Sequence, residues 1–211
     1  MKIFVAGASG RVAEELLKQL SQAGYQVLAG ARNTDRVWNG PGIEAVKLDL
    51  HDSVDQLADI IKDCQALYFV AGSRGKDLLQ TDVYGAIKLM EASQKVGLNR
   101  FMMLSSLFAL EPTKWQLPGL NQMMDYNISK FLADHYLIHQ TKLDYTILQP
   151  GALVESEAKG KVAFYPETLG SNSIKDVARV LALLLEHPQA SKKVITMIEG
   201  EQTIEEALQE L

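Results

Sequence analysis

The sequence contains one cysteine, Cys64, among its 211 residues, so no disulfide can form within the chain. Cys64 ends an apolar helical pattern, and we interpret it as a packed thiol. No apolar run reaches the roughly 18 residues of a membrane-spanning helix, and the first apolar run is too short for a signal peptide. We therefore expect a cytoplasmic protein with no membrane partner.

Basic blocks and metal-ligand clusters are also missing. The net charge is −5 and the basic residues are scattered, which argues against nucleic acid as a partner. His135 and His139 have the i, i+4 spacing of metal ligands on a helix, but no glutamate stands beside His135. We interpret the two histidines as a solvated pair and predict no metal site.

Strand-like and helical segments alternate along nearly the whole chain. Strands are predicted at about 2–6, 25–30, 43–48, 66–71, 100–105, 144–149 and 193–198. Helices are predicted at about 11–23, 54–63, 78–96, 125–140, 175–187 and 204–210. This alternation predicts an α/β fold: a doubly wound parallel sheet of the Rossmann type, flanked by helices, in one domain over residues 1–211 with a small C-terminal cap.

Two segments, 107–124 and 152–173, show no clear pattern. Both follow the carboxyl ends of predicted strands. In open α/β sheets, ligands bind at that edge. We therefore expect these segments to form the walls of a site for a small-molecule substrate.

A glycine-rich turn follows the first predicted strand and precedes the first predicted helix. Gly7 permits a tight turn, and Gly10 lets the backbone approach a pyrophosphate, which the amides at the helix start would bind. A strand, a glycine turn and a helix in this order are the context of a dinucleotide-binding fingerprint. The cofactor contacts expected here are those of Gly7, Ser9, Gly10, Arg11 and Val12.

Arg32 follows the second predicted strand. An acidic residue at that position binds the ribose 2′-hydroxyl of NAD, whereas an arginine accommodates the 2′-phosphate of NADP. Ser9 is a second candidate donor to that phosphate. We predict NADP(H) as the preferred cofactor and NAD(H) as the alternative, and a solvated surface arginine is the competing interpretation.

Further cofactor contacts are expected at the ends of the next two strands. Asp49, beside Leu50, can accept a hydrogen bond from the adenine amino group, or can instead cap the turn before Ser53. Ala71 and Gly72 are small enough for a ribose to lie against their backbone. Asp49, Leu50, Ala71 and Gly72 are therefore predicted cofactor contacts.

A serine pair and a Tyr-x-x-x-Lys motif mark the reacting end. Ser105 and Ser106 end the fifth predicted strand, and Tyr126 and Lys130 share one face of a helix. An ammonium stabilises a neighbouring phenolate, which suits a tyrosine to act as a general acid, and a serine can stabilise a substrate oxygen during hydride transfer. A second Tyr-x-x-x-Lys match, at residues 84–88, precedes the strand that ends in the serine pair. We therefore favour Tyr126 and Lys130, which follow that strand.

These motifs, in this order, resemble the short-chain dehydrogenase/reductase superfamily, and in particular its atypical NAD(P)-binding group of NmrA-like, flavin/biliverdin reductase B-like and sugar-nucleotide epimerase-like proteins. The resemblance implies that Ser106, rather than Ser105, is the active-site serine. It implies acid/base chemistry by Tyr126, a role for Lys130 towards both the tyrosine and the nicotinamide ribose, and a Pro-Gly turn at the cofactor. That turn is Pro150 and Gly151.

We therefore predict an NADP(H)-dependent oxidoreductase, a monomer or homodimer, that transfers hydride to a small carbonyl or similar electrophile. One alternative is a non-catalytic NADP-binding protein that senses redox state and regulates a partner. A second alternative is a sugar-nucleotide epimerase-like enzyme. The short stretch of chain after Pro150 argues against a separate domain for a bulky sugar nucleotide.

Overall fold

The computed structural model describes residues 1–211 and contains eleven strands and six α-helices. The strands are β1 (Lys2–Ala6), β2 (Gln26–Ala31), β3 (Ile43–Lys47), β4 (Ala66–Phe69), β5 (Arg100–Leu104), β6 (Asp144–Pro150), β7 (Ala152–Val154), β8 (Lys161–Phe164), β9 (Ser171–Ser173), β10 (Lys193–Glu199) and β11 (Gln202–Thr203). The α-helices are α1 (Arg11–Gln22), α2 (Val54–Ile61), α3 (Ala86–Val96), α4 (Met124–Gln140), α5 (Ile174–Leu184) and α6 (Ile204–Gln209). A π-helix, Leu78–Gly85, leads directly into α3.

Nine strands form one sheet in the order β11-β8-β10-β6-β5-β4-β1-β2-β3. From β3 to β10 neighbouring strands are parallel, whereas β8 and β11 add an antiparallel edge. Strand β1 lies between β2 and β4, so the chain turns to one side after β1 and to the other side after β3. A crevice forms at the carboxyl ends of the strands where the order reverses in this way.

Side chains alternate between two hydrophobic cores, one on each face of the sheet, as the period of a strand requires. Along β1, Ile3 and Val5 face α1 and α5, whereas Phe4 and Ala6 face α2, α3 and α4. All four side chains are fully buried. Burial on both faces accounts for the continuous apolar runs of the central strands.

The predicted fold class is confirmed, and every predicted strand and helix is present. Two segments differ from prediction. The predicted helix at 78–96 begins as a π-helix, and the unpatterned segment 152–173 contains the three short strands β7, β8 and β9. Strands of three or four residues at a sheet edge carry too few alternating positions to be read from sequence. None of the helices has the length and apolar character needed to cross a membrane.

Asp176 of α5 holds the segment between β7 and β8 in place. Its carboxylate accepts hydrogen bonds from the backbone N–H of Lys159 at 2.9 Å and of Gly160 at 3.0 Å. Asp176 is only 3% exposed. Because a buried carboxylate needs hydrogen-bond donors, these two bonds fix the segment between β7 and β8 to α5.

Replacing Asp176 with asparagine should lower the free energy of unfolding by about 1–3 kcal/mol, because the new amide group faces a backbone N–H as donor against donor. Urea denaturation measures the change. Asp59→Asn, at an exposed position of α2, is the matched control and should change stability little. Equal stability of the two variants would contradict an anchoring role.

Candidate functional site

A cleft of about 540 Å³ opens at the carboxyl ends of the strands, where β1 separates β2 from β4. Its walls come from the turn after β1, the segments after β2, β3 and β4, the end of β5 and the start of α4. The structure brings most of the predicted site residues together here. Those that line the cleft are Gly7, Ser9, Gly10, Arg11, Val12, Arg32, Asp49, Leu50, Ala71, Gly72, Tyr126 and Lys130.

The glycine turn packs tightly against the end of β4. Gly7 has φ +88°, and a Cβ atom there would lie 2.5 Å from the Cα atom of Ala71, so no other residue fits without displacement. Gly10 precedes α1, and no side chain caps the free amides of the first helical turn. These amides and the positive end of the helix dipole suit a pyrophosphate.

Basic side chains outnumber acidic ones in the cleft. Its lysine and arginine residues are Arg11, Arg32, Arg36, Arg74, Lys76 and Lys130, and its carboxylates are Asp49 and Asp82. The whole chain has a net charge of −5, so the lining of this cleft differs in sign from the chain as a whole. Such a cleft attracts a polyanionic ligand.

Asp49 lines the cleft and also closes a turn. Its Oδ1 atom accepts a hydrogen bond from the backbone N–H of His51 at 2.9 Å. This bond is the turn-capping contact predicted as the alternative to an adenine contact. An adenine contact by the other oxygen of Asp49, Oδ2, stays a prediction.

Lys130 lies at the α4 end of the cleft, between a tyrosine and a buried acid. Its Nζ atom is 3.6 Å from Oδ1 of Asp82 and 5.6 Å from the ring centre of Tyr126. The backbone N–H of Ser73 donates to the other oxygen of Asp82 at 2.9 Å. Burial alone would lower the pKa of Lys130, but Tyr126, Asp82 and Asp134 together outweigh it and raise that pKa above its usual value. Lys130 is therefore a fixed positive charge.

Asp134 lies one helical turn beyond Lys130 and is completely buried. One of its oxygens, Oδ2, accepts hydrogen bonds from Oγ of Ser105 at 2.6 Å and from Nε2 of Gln149 at 2.8 Å. The other oxygen, Oδ1, is buried without a hydrogen-bond partner. Burial raises the pKa of Asp134 to about 6, although Ser105, Gln149 and Lys130 oppose the shift.

Several predicted residues lie outside the lining of the cleft. Ser105 lines it, whereas Ser106 is half-buried and does not. Pro150 also lies outside, and Gly151 has a packing role: its N–H donates to Oδ1 of Asn172 at 2.9 Å, and a Cβ atom there would meet the backbone oxygen of Gly170. Catalysis by Ser106 and cofactor contacts at Pro150 and Gly151 stay predictions.

The two unpatterned segments contribute unequally to the cleft. Leu153, from segment 152–173, is among the residues that line it. No residue of segment 107–124 is among them. The substrate wall predicted for 107–124 thus lies outside the cleft as the structure shows it.

The second Tyr-x-x-x-Lys match lies away from the cleft. Tyr84 is 52% exposed, and the Nζ atom of Lys88 donates a hydrogen bond to the backbone oxygen of Asp52 at 2.8 Å. Neither Tyr84 nor Lys88 lines the cleft. The geometry therefore favours Tyr126 and Lys130, as chain order predicts.

Sequence reasoning missed Asp82 and Asp134. Asp134 lies four residues after Lys130 on α4, so the same helical spacing that pairs Tyr126 with Lys130 was a usable signal. Asp82 belongs to the π-helix, where α-helical spacing does not apply. Its contact with Lys130 arises only in the tertiary structure.

Comparison with known proteins identifies the family. A family model described as NAD(P)H-binding matches residues 7–188. The chain belongs to this family. It is similar to UPF0659 protein YMR090W of Saccharomyces cerevisiae, at 34% identity over all of this chain and 99% of that protein. It is also similar to the "uncharacterized sugar epimerase YhfK" of Bacillus subtilis, at 30% identity over the full length of both.

A solved structure supports the same assignment. The oxidoreductase ylbE from Lactococcus lactis superposes with a TM-score of 0.98 and 44% identity, over 100% of this chain and 96% of that chain. The resemblance to the atypical short-chain dehydrogenase/reductase group is thereby confirmed. The protein has the NAD(P)-binding fold that oxidoreductases and epimerase-like proteins share.

The pKa of Asp134 predicts a pH-dependent stability. A carboxyl group whose pKa is about 6 when folded and near 3.9 when unfolded stabilises the fold below about pH 4 and loses that contribution as pH rises through 6. Relative to Asp134→Asn, the wild type should lose roughly 2–3 kcal/mol of stability between pH 4 and pH 7. Urea unfolding at several pH values measures this difference. A difference that is constant with pH would show that Asp134 titrates normally.

Proposed function

We propose that this protein is an NADP(H)-dependent oxidoreductase that transfers hydride to a small carbonyl or similar electrophile. The supporting observation is that one cleft combines an uncapped helix start behind a glycine turn, an excess of basic side chains and the Tyr126–Lys130 pair. The first two features suit a dinucleotide. The third suits proton transfer at its reacting end.

The charge of the cleft supports NADP(H) over NAD(H). A ribose 2′-phosphate adds nearly two negative charges at neutral pH. Arg32 and Arg36 both line the cleft just after β2, where the adenosine ribose of a Rossmann protein lies. Guanidinium groups bind phosphate oxygens in a bidentate manner, which gives a charge-assisted and directional contact.

At the other end of the cleft, Tyr126 and Lys130 have separate roles in proton transfer. When bound, NADPH would supply the hydride that a carbonyl carbon accepts. Tyr126 donates its phenolic proton to the carbonyl oxygen, and the product is an alcohol. Lys130, which Asp82 holds in place, stabilises the phenolate that remains until solvent returns a proton.

The apolar side chains Leu104 and Leu153 line the cleft together with Tyr126 and Lys130. An apolar wall beside a few converging polar groups is typical of a site for a small organic ligand. We therefore place the substrate carbonyl next to Tyr126, with its apolar part against these two leucines.

A sugar epimerase-like activity is the second candidate, because the Bacillus subtilis relative that matches over its full length carries that name. An epimerase returns the hydride to its substrate, whereas a reductase consumes NADPH. NADPH consumption, followed by absorbance across a panel of aldehydes, ketones, quinones and flavins, tests the reductase. Turnover of a nucleotide sugar without net NADPH consumption would favour the epimerase.

Tight NADP binding without turnover of any compound in the panel would favour the third candidate, a redox sensor. The Tyr126 and Lys130 pair would then be a remnant of an active site. The screen therefore separates all three functions with one purified protein.

Arg32→Ala should reduce the preference for NADP+ over NAD+ by about tenfold or more, since a charge-assisted phosphate contact contributes roughly 1.5–3 kcal/mol. Calorimetry gives the two dissociation constants. Arg179→Ala removes an exposed arginine that pairs with Glu205 on α6, away from the cleft, and should leave the preference unchanged. An unaltered preference in Arg32→Ala would mean that other residues hold the phosphate.

Tyr126→Phe should lower turnover by about 10²–10⁴-fold and leave cofactor affinity intact, because the phenol transfers a proton and does not hold the dinucleotide. Tyr84→Phe, in the second match outside the cleft, is the control for loss of a tyrosine hydroxyl. Lys130→Ala should reduce both turnover and binding. Full activity of Tyr126→Phe would show that the proton comes from water or from the substrate.

A further inference from the structure

Ser105 is the serine hydroxyl at the reacting end of the cleft. It follows β5 directly, is 5% exposed, and lines the cleft together with Leu104, Tyr126 and Lys130. Its backbone N–H donates to the oxygen of Leu148 at 2.8 Å, which continues the ladder between β5 and β6. The position of Ser105 is therefore set by the sheet.

The Ser105 hydroxyl has a single proton, and the structure directs it away from the cleft. Oγ donates that proton to Oδ2 of Asp134 at 2.6 Å. Gln149 donates to the same oxygen, so both neighbours treat Oδ2 as an acceptor. With its proton engaged, Ser105 has only the lone pairs of Oγ to offer to a ligand.

We propose that Asp134 is a positioning residue that orients the Ser105 hydroxyl, so that Oγ accepts a hydrogen bond from the carboxamide N–H of a bound nicotinamide ring. This inference rests on the proposed function. With the 2′-phosphate at Arg32 and the pyrophosphate at the glycine turn, the part of the same cleft that Ser105 lines is left for the nicotinamide. A carboxamide is the only N–H donor on that ring.

Protonation of Asp134 changes the Ser105 hydroxyl from a hydrogen-bond acceptor towards the cleft into a donor. The reversal requires the proton on Oδ2, the oxygen that faces Ser105: it is then donated to Oγ, Gln149 still donates to Oδ2, and the Ser105 proton is free to point into the cleft. Lys130 on the same helix is the charged group that acts on Asp134, and Lys130 in turn pairs with Asp82 of the π-helix. The neighbours of Asp134 from β5 and β6 are the neutral Ser105 and Gln149. The preference of the cleft for a ligand that donates a hydrogen bond to Ser105 should therefore weaken as pH falls through the pKa of Asp134.

The test compares NADP+ with its 3-acetylpyridine analogue, in which a methyl group replaces the carboxamide nitrogen. Dissociation constants are measured by calorimetry at pH 8 and pH 5. At pH 8 the wild type should bind NADP+ about three- to tenfold more tightly than the analogue, the effect of one hydrogen bond. At pH 5 this preference should largely vanish.

Two variants separate the roles of the pair. Ser105→Ala should show no preference at either pH. Asp134→Asn should keep the preference at both, because the asparagine oxygen always accepts from Ser105 and its nitrogen takes the place of the unpartnered Oδ1. Ser191→Ala removes a serine hydroxyl that likewise donates to an aspartate, Asp144, but lies outside the cleft, and it should behave as the wild type.

A preference that survives in Ser105→Ala, or that is the same at both pH values in the wild type, overturns the proposal. If Asp134→Asn fails to fold, the Ser105→Ala variant and the pH dependence of the wild type still test the proposal. Failure of the wild type to bind NADP+ at all would instead overturn the proposed function. Equal binding of NADP+ and the analogue at pH 8 would overturn this inference alone.

Discussion

The contact between the glycine turn and the end of β4 determines where ligands can bind in this molecule. Gly7 adopts φ +88°, and its missing side chain lets the turn lie against the backbone of Ala71. Because β1 and β4 are neighbours across the point where strand order reverses, this contact sets the floor of the cleft. The start of α1, the arginines after β2 and the first turns of α4 are all arranged around that floor.

The end of the cleft around Lys130 departs from ordinary packing. Asp82, Lys130 and Asp134 are nearly or completely buried, and one oxygen of each aspartate lacks a hydrogen-bond partner. Buried charges often contribute less to stability than an apolar core of the same volume, even when they are paired. Groups of this kind concentrate at functional sites, where a particular protonation state matters more than stability. The geometry around Lys130 fits that pattern better than it fits a structural ion pair.

The sequence predicted the features that depend on local pattern and chain order. Strand and helix periodicity gave the sheet with its helices, and the glycine turn, Arg32 and Tyr126 with Lys130 gave most of the cleft. Short edge strands such as β8 were missed because four residues carry little periodicity. Asp82 was missed because it meets Lys130 across 48 positions of sequence. The family resemblance favours Ser106 as the active-site serine, whereas Ser105 is the one that lines the cleft, because one residue at a strand end decides which side chain faces it.

The π-helix before α3 makes the cleft sensitive to the length of the chain as well as to its composition. A π-helix has i→i+5 hydrogen bonds and therefore more residues per turn than an α-helix. It shifts the angular position of the residues that precede α3. Deleting one residue between Asp82 and Gly85, such as Val83, would turn Asp82 by about 100° relative to α3. Such a deletion keeps every polar residue of the chain and yet moves the Asp82 carboxylate away from Lys130. Lys130 would then be a buried cation without its counterion.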